Sequence, residues 1–405
     1  MGYFNEIAAE RLGGSAFGSQ GEFKFEMIKR VRREVMEAGG TRLIDMGIGE
    51  PDSAADQGII SVLKEEAGKP DNRFYADNGI EEFQSAAAAY LKKIYGVHAD
   101  PRTQILHGIG SKSILAMLPH CVINPGDMAL VTVPGYPVPG DITAYLGGSV
   151  YPLPLLKKNA FLPDLGAVPE SIWKKAKILY INYPNNPTGA AAPADFFQRV
   201  VAYADKYKVL VIHDAAYGDI VYDDTKPLSF LSVPGAFETG VEVHSLSKAF
   251  SMTGWRLAFL AGNADVVKAY GMVKDHMDSG QFRAIQKAGT YALEHPELTK
   301  LYRNKYSRRL DLLTDILKEA GFDAVKPNGT FYSYVKAPKG AGERRFESAG
   351  EAALYLLKYA GISVVPWEED GGYLRFSVTF EAGAEEEAKL LAEAGERLKR
   401  LDLIF

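Results

Sequence analysis

ILYINYPNNPTG at residues 178–189, VLVIHDAAY at 209–217 and VEVHSLSK at 241–248 share one arrangement: an apolar run of strand length that ends on polar, chemically capable side chains. Near-continuous apolar runs are what strands buried on both faces require. Working outward, Gln104 to Leu106, Met128 to Val133 and Leu257 to Leu260 are further strand candidates. Ser111 to Cys121 and Ala194 to Lys208 carry apolar residues three and four apart, as crossover helices do. This alternation, from about residue 100 to 262, predicts an α/β fold with a mostly parallel central sheet sandwiched by helices. Ligands of such sheets sit at strand C-termini, where the polar endings fall. Beyond Asn263, helical patterns run to Lys318, strands are expected at Thr330 to Lys336, Ile362 to Val365 and Tyr373 to Val378, and a charged helix closes the chain from Ala384 to Arg400. That texture predicts a smaller α+β domain, with an N-terminal helix around Phe25 to Ala38 packing back on it. The expected division is an N-terminal arm and part of the small domain over 1–45, a large domain over 46–290 and a small C-terminal domain over 291–405.

Composition narrows the partners. The 405 residues are 47% hydrophobic and 24% charged, an ordinary globular balance that excludes disorder and fibrous repeats. Lys and Arg number 46 against 51 Asp and Glu, so no net positive field draws the molecule to nucleic acid or anionic lipid, and a small-molecule partner is expected. Cys121 is the only cysteine, which excludes an internal disulfide and a thiolate metal cage; it is expected to be a buried, inert thiol. Met1 to Gln20 mixes charge with glycine and lacks an apolar signal core, and no run of about 18 apolar residues occurs, so a cytoplasmic protein without membrane contact is expected.

Two glycine motifs fail their strict forms. Gly47-Ile48-Gly49-Glu50-Pro51-Asp52 has Asp where a dinucleotide fingerprint needs its third glycine, and Gly108-Ile109-Gly110-Ser111-Lys112 has Ser where an ATP-binding loop needs glycine before the lysine. The second still places glycines between a strand and a helix start, whose free N–H groups suit a phosphate. Asp214 ends a strand as either a helix cap or a ligand acceptor, and Tyr217 follows one helical turn later. Lys248 stands among Phe250, Met252 and Trp255, and a desolvated lysine has the lowered pKa that an amine nucleophile needs. Asn186, Asp214, Tyr217, Lys248 and Arg256 therefore bring an amine, an acid, donors and a guanidinium to neighbouring strand ends, a set that fits pyridoxal phosphate.

Asn186-Pro187-Thr188-Gly189, Asp214-x-x-Tyr217, Ser245-x-Ser247-Lys248, Gly254-Trp255-Arg256 and Arg375, in that order and spacing, resemble the fold type I pyridoxal-phosphate-dependent aminotransferases. Gly47 to Asp52, Tyr75 to Gly79 and Pro134 to Pro137 extend the likeness over nearly the whole chain. Within the family, GIGSKSIL, VPGYPV, NYPNNPTG, HDAAY, PLSFLSV and KDHMDSGQF are most similar to LL-diaminopimelate aminotransferases. The resemblance implies pyridoxal 5′-phosphate as cofactor, with Lys248 as its covalent amine and as general base and acid, Asp214 on the pyridine nitrogen, and Tyr217 and Asn186 as donors to the ring oxygen. It implies Tyr136 stacked on the ring, and the phosphate held by Gly110, Ser111, Lys112, Ser245, Ser247 and Arg256. Arg375, with Gly49 and Asn186, is implied to bind the substrate α-carboxylate; a guanidinium inside the apolar strand Tyr373 to Ser377 needs such an anion to offset its burial. Tyr75 resembles the tyrosine that reaches the neighbouring subunit's phosphate, implying a homodimer with shared sites. The implied activity is transfer of an amino group between an amino acid and 2-oxoglutarate in lysine or cell-wall precursor synthesis. The alternatives are a broader alanine, aspartate or aromatic aminotransferase and a non-catalytic cofactor-binding regulator. His276 stands where such relatives are expected to carry asparagine, and Tyr3 is a candidate lid over the substrate.

Overall fold

The computed structural model describes residues 3–12, 30–34 and 42–405. Seven strands form the central sheet: β1 (Ile105–Gly108), β2 (Met128–Val133), β3 (Ser149–Pro154), β4 (Ala176–Asn182), β5 (Leu210–Asp214), β6 (Gly240–Ser245) and β7 (Ala258–Gly262), in the spatial order β1-β7-β6-β5-β4-β2-β3. β7 runs antiparallel to both its neighbours, and every other pair is parallel, as the alternating pattern predicts.

The central strands read as continuous apolar runs because each face has its own core. Leu179, Ile181 and Val211 point into one cluster with Phe196, Phe197 and Phe230. Ile178, Tyr180, Ile212, Val241 and Val243 point into the other, beneath helix Ser111–Met117. This period of two sets the site: in register, Asn182 lies beside Asp214 and Asp214 beside Val243, so the strand ends put their polar residues on the face of Tyr180 and Val243.

The smaller α+β unit is built on a three-stranded antiparallel sheet, β9-β10-β8, formed by β8 (Tyr332–Lys336), β9 (Val365–Trp367) and β10 (Tyr373–Ser377). Helices Leu298–Glu319, Ala349–Ala360 and Glu387–Lys399 bury Leu310, Leu313, Leu356, Leu391 and Leu398 against Leu374 and Phe376 of β10. Ile44–Asp45 pairs in parallel with Ile362–Ser363, so the chain joins this unit before it enters the large sheet. Of the helix expected over Phe25 to Ala38, residues 30–34 are helical, and the rest lies outside the described residues. Cys121 is half-buried rather than buried as expected, and desolvation pushes its thiol up to about 11, which disfavours the thiolate. Among the described residues no helix is long and apolar enough to cross a membrane.

Candidate active site

A cavity of about 280 Å³ opens at the C-terminal ends of β4, β5 and β6, where the small unit's β8 and β10 face the large sheet. Its walls include Lys248, Asp214, Tyr217, Asn186, Tyr136, Ser111, Lys112, Ser245, Ser247, Arg256, Gly49 and Arg375, so the side chains singled out from separate sequence segments converge on one space.

Lys248 sits on the short helix Leu246–Ala249, which the Ser245 hydroxyl caps by accepting from the Ser247 N–H. Its Nζ donates to the Gly49 carbonyl at 2.7 Å. Burial is the main force on this amine, aided by the like charges of Arg256 and Arg375, and together they lower it to about 8 against the opposing pull of Glu50 and Asp214. Asp214 is 5% exposed. Its carboxylate accepts from the Tyr180 hydroxyl at 3.1 Å and the Ala216 N–H at 3.0 Å, both neutral donors, and burial raises its pKa. A buried acid in this state is stabilised by any cationic N–H that arrives in the cavity.

On the small-unit side, Arg375 projects from β10. Its Nη1 donates to Asn186 Oδ1 at 2.9 Å and its Nη2 to the Gly47 carbonyl at 3.2 Å, while the buried Nε has no partner among the described residues. The guanidinium thus keeps donors unspent beside the cavity, which a carboxylate can take as a fork. The loop over 46–49 links both cations: Met46 pairs with Ser363 and Ser377 through its backbone, Gly47 accepts from Arg375 and Gly49 accepts from Lys248.

The phosphate-binding expectation rests on a close approach. Gly110 has φ +77°, and a Cβ there would come 2.2 Å from Arg256 Nη2, so only glycine lets the guanidinium lie across the start of helix Ser111–Met117. Arg256, itself at φ +59°, also donates to the Thr253 carbonyl at 2.9 Å.

A family model for aminotransferases of class I and II matches residues 41–394. This chain belongs to that family. An LL-diaminopimelate aminotransferase of Methanocaldococcus jannaschii is 52% identical over 100% of this chain and 99% of its own length. Another of that name from Methanococcus maripaludis is 49% identical, again over 100% and 99%. Among solved structures, a substrate-bound BacF from Bacillus subtilis superposes with a TM-score of 0.88 at 33% identity, covering 100% of this chain and 98% of its own.

The aminotransferase family implies pyridoxal 5′-phosphate, and the residues present fit it: an amine whose pKa is lowered by burial, a buried acid that accepts from two neutral donors, and a glycine cradle under a guanidinium. Of the expected participants, Gly110 does not itself line the cavity of this aminotransferase chain but precedes Ser111, which does, and three others stand apart from it. Tyr75 is 78% exposed and Tyr3 80% exposed, and His276 is exposed as well; none of them lines it. Sequence reasoning missed Tyr332, Asn182 and Ala216, which do line it. Asn182 ends β4 and donates to the Asp214 carbonyl at 2.8 Å while accepting from the Asn186 N–H at 2.9 Å, so it fixes both neighbours; a polar residue closing an apolar strand was the available signal. Tyr332 had none, since YSYVK reads as an ordinary half-buried strand.

Proposed function

We propose that this aminotransferase moves an amino group between LL-diaminopimelate and 2-oxoglutarate with pyridoxal 5′-phosphate as cofactor, as a homodimer in lysine or peptidoglycan precursor synthesis. The observation that carries the chemistry is the convergence of Lys248, Asp214 and Arg375 on one cavity. What supports the substrate is the shared name of full-length relatives at 52% and 49% identity. Bound there, the cofactor supplies an aldehyde and an electron-withdrawing ring that stabilises negative charge at the substrate α-carbon.

The chain's own residues do the rest. The Lys248 amine would hold the cofactor at its aldehyde carbon, with water leaving, and once freed by the substrate amine it would be the base that takes the proton from the substrate α-carbon and the acid that gives it back across the intervening nitrogen. Asp214 holds a proton on the ring nitrogen, an ion pair strengthened by its dry surroundings. Tyr217 and Asn186 donate to the ring oxygen, and Tyr136 packs on the ring. Ser111 and Lys112 at the helix start, with Gly110, Ser245, Ser247 and Arg256, hold the phosphate. Arg375 orients the amino acid by its carboxylate, with Gly49 and Asn186 beside it. Tyr75, exposed and absent from the walls of its own cavity, reaches the phosphate of the partner subunit in this reading.

The test is a single-turnover screen of cofactor-loaded protein with LL-diaminopimelate, glutamate, alanine, aspartate and phenylalanine, following loss of the cofactor's visible absorbance. Fast bleaching by LL-diaminopimelate and glutamate is expected. An inert LL-diaminopimelate beside a fast alanine, aspartate or phenylalanine overturns the substrate assignment.

A further inference from the structure

Tyr332 opens β8 on the wall of the cavity and is 1% exposed. Its ring is wedged edge-on between Tyr217, with centroids 5.8 Å apart, and Phe331, at 4.8 Å, so it has little freedom to turn. Two contacts leave this one side chain in different directions. The Arg375 guanidinium carbon lies 4.1 Å from the centroid of the ring, and the hydroxyl shares a 2.9 Å hydrogen bond with the Tyr217 hydroxyl. The position of Gly49 records the same packing: a Cβ there would come 2.7 Å from the Tyr332 hydroxyl, and the Gly49 carbonyl is the acceptor of Lys248.

We propose that Tyr332 is a positioning residue with two separable parts, a ring that carries the Arg375 guanidinium and a hydroxyl that orients Tyr217; the proposal rests on the function given above. The ring matters because, among the described residues, the Arg375 guanidinium otherwise donates only to Asn186 and the Gly47 carbonyl, which leaves donors unspent for the incoming carboxylate. A flat aromatic face fixes the guanidinium plane without consuming a donor. The hydroxyl matters because Tyr217 has a single proton. If Tyr217 spends it on the cofactor's ring oxygen, the bond between the two tyrosines must be donated by Tyr332, and a hydroxyl that accepts one hydrogen bond donates a stronger one. Carboxylate recognition and the electronics of the cofactor then share one side chain.

Two variants separate the parts. Tyr332→Phe keeps the face and removes the donor; the pH midpoint of the bound cofactor's visible absorbance is expected to rise by about half a unit, with a smaller change in KM than its companion shows. Tyr332→Leu removes the face; KM for the amino donor is expected to rise about tenfold, more than kcat falls. A midpoint in Tyr332→Phe equal to that of the unsubstituted protein overturns the role of the hydroxyl, and an equal rise of KM in both variants overturns the role of the ring. Should Tyr332→Leu fail to fold, the spectral titration of Tyr332→Phe still decides the part of the hydroxyl, and Tyr332→Met, which also lacks the aromatic face, takes its place in the KM comparison. Unsubstituted protein that gains no visible absorbance with pyridoxal phosphate overturns the functional reading and this inference with it.

Discussion

Lys248 shows how the surroundings of a side chain become chemistry. The amine sits near 8 because burial disfavours its charged form, and Arg256 and Arg375 add to the shift. The folded value lies below the ordinary lysine value, so the protonated amine is destabilised in the fold, and this group's contribution to stability rises as pH climbs from about 8 toward 10.5. For the cofactor-free protein, the rate of pyridoxal phosphate capture is expected to rise with pH and level off above about 8, as stopped-flow absorbance can follow. A rate that keeps rising to the ordinary lysine range would show an unshifted amine. Asp214→Asn removes the charge but keeps the shape; kcat is expected to fall at least about a hundredfold, because the ring nitrogen loses the anion that holds its proton. Wild-type kcat in that variant would remove Asp214 from the chemistry. These side chains were legible because each closes an apolar run with a chemically capable group. Tyr332 was not: its function comes from what lies across from it, Arg375 on a strand over forty residues away and Tyr217 on another unit, which a linear pattern does not encode.

Among elements, the strand-to-helix turn at Gly110 is the most demanding. An alanine there would meet Arg256 Nη2 and also require φ +77°, so Gly110→Ala is expected to weaken cofactor binding about tenfold or more and to cost about 1–2 kcal/mol of stability. Equilibrium titration and urea unfolding measure the two effects; wild-type affinity would mean that the guanidinium is not needed where it lies. The parallel core of the sheet was legible from its continuous apolar runs, and the observed β4, β5 and β6 fall within two residues of expectation at their C-terminal ends. β3 was missed for a physical reason. Ser149–Pro154 carries two prolines and mostly exposed side chains because it is an edge strand, paired only with β2, where missing N–H groups do no harm. The antiparallel direction of β7 was equally illegible, since a strand buried on both faces reads the same either way.

For the whole molecule, Arg309 joins the parts. It is fully buried on helix Leu298–Glu319 and donates to Asp52, to Glu387 and to the carbonyls of Val378, Phe380 and Ala382, so it ties the loop that carries Gly49 to the segment that follows Arg375. Replacing it with leucine leaves two buried carboxylates without this partner, and unfolding free energy is expected to drop by about 3–5 kcal/mol. Urea unfolding with an unchanged midpoint would show that the junction does not depend on it. The proposed dimer gives a mass in light scattering of twice 44.3 kDa. It also predicts that mixed Lys248→Ala and Tyr75→Phe subunits recover one intact site per pair; a monomer, or no recovery on mixing, would place Tyr75 outside the site. The proposed chemistry turns on which amine holds the cofactor. Borohydride reduction of the pyridoxal-phosphate-loaded protein, followed by peptide mass spectrometry, is expected to fix the label on Lys248 alone and to lose it when amino donor is added before the reductant. A label on another lysine, or one that the donor does not displace, would contradict it.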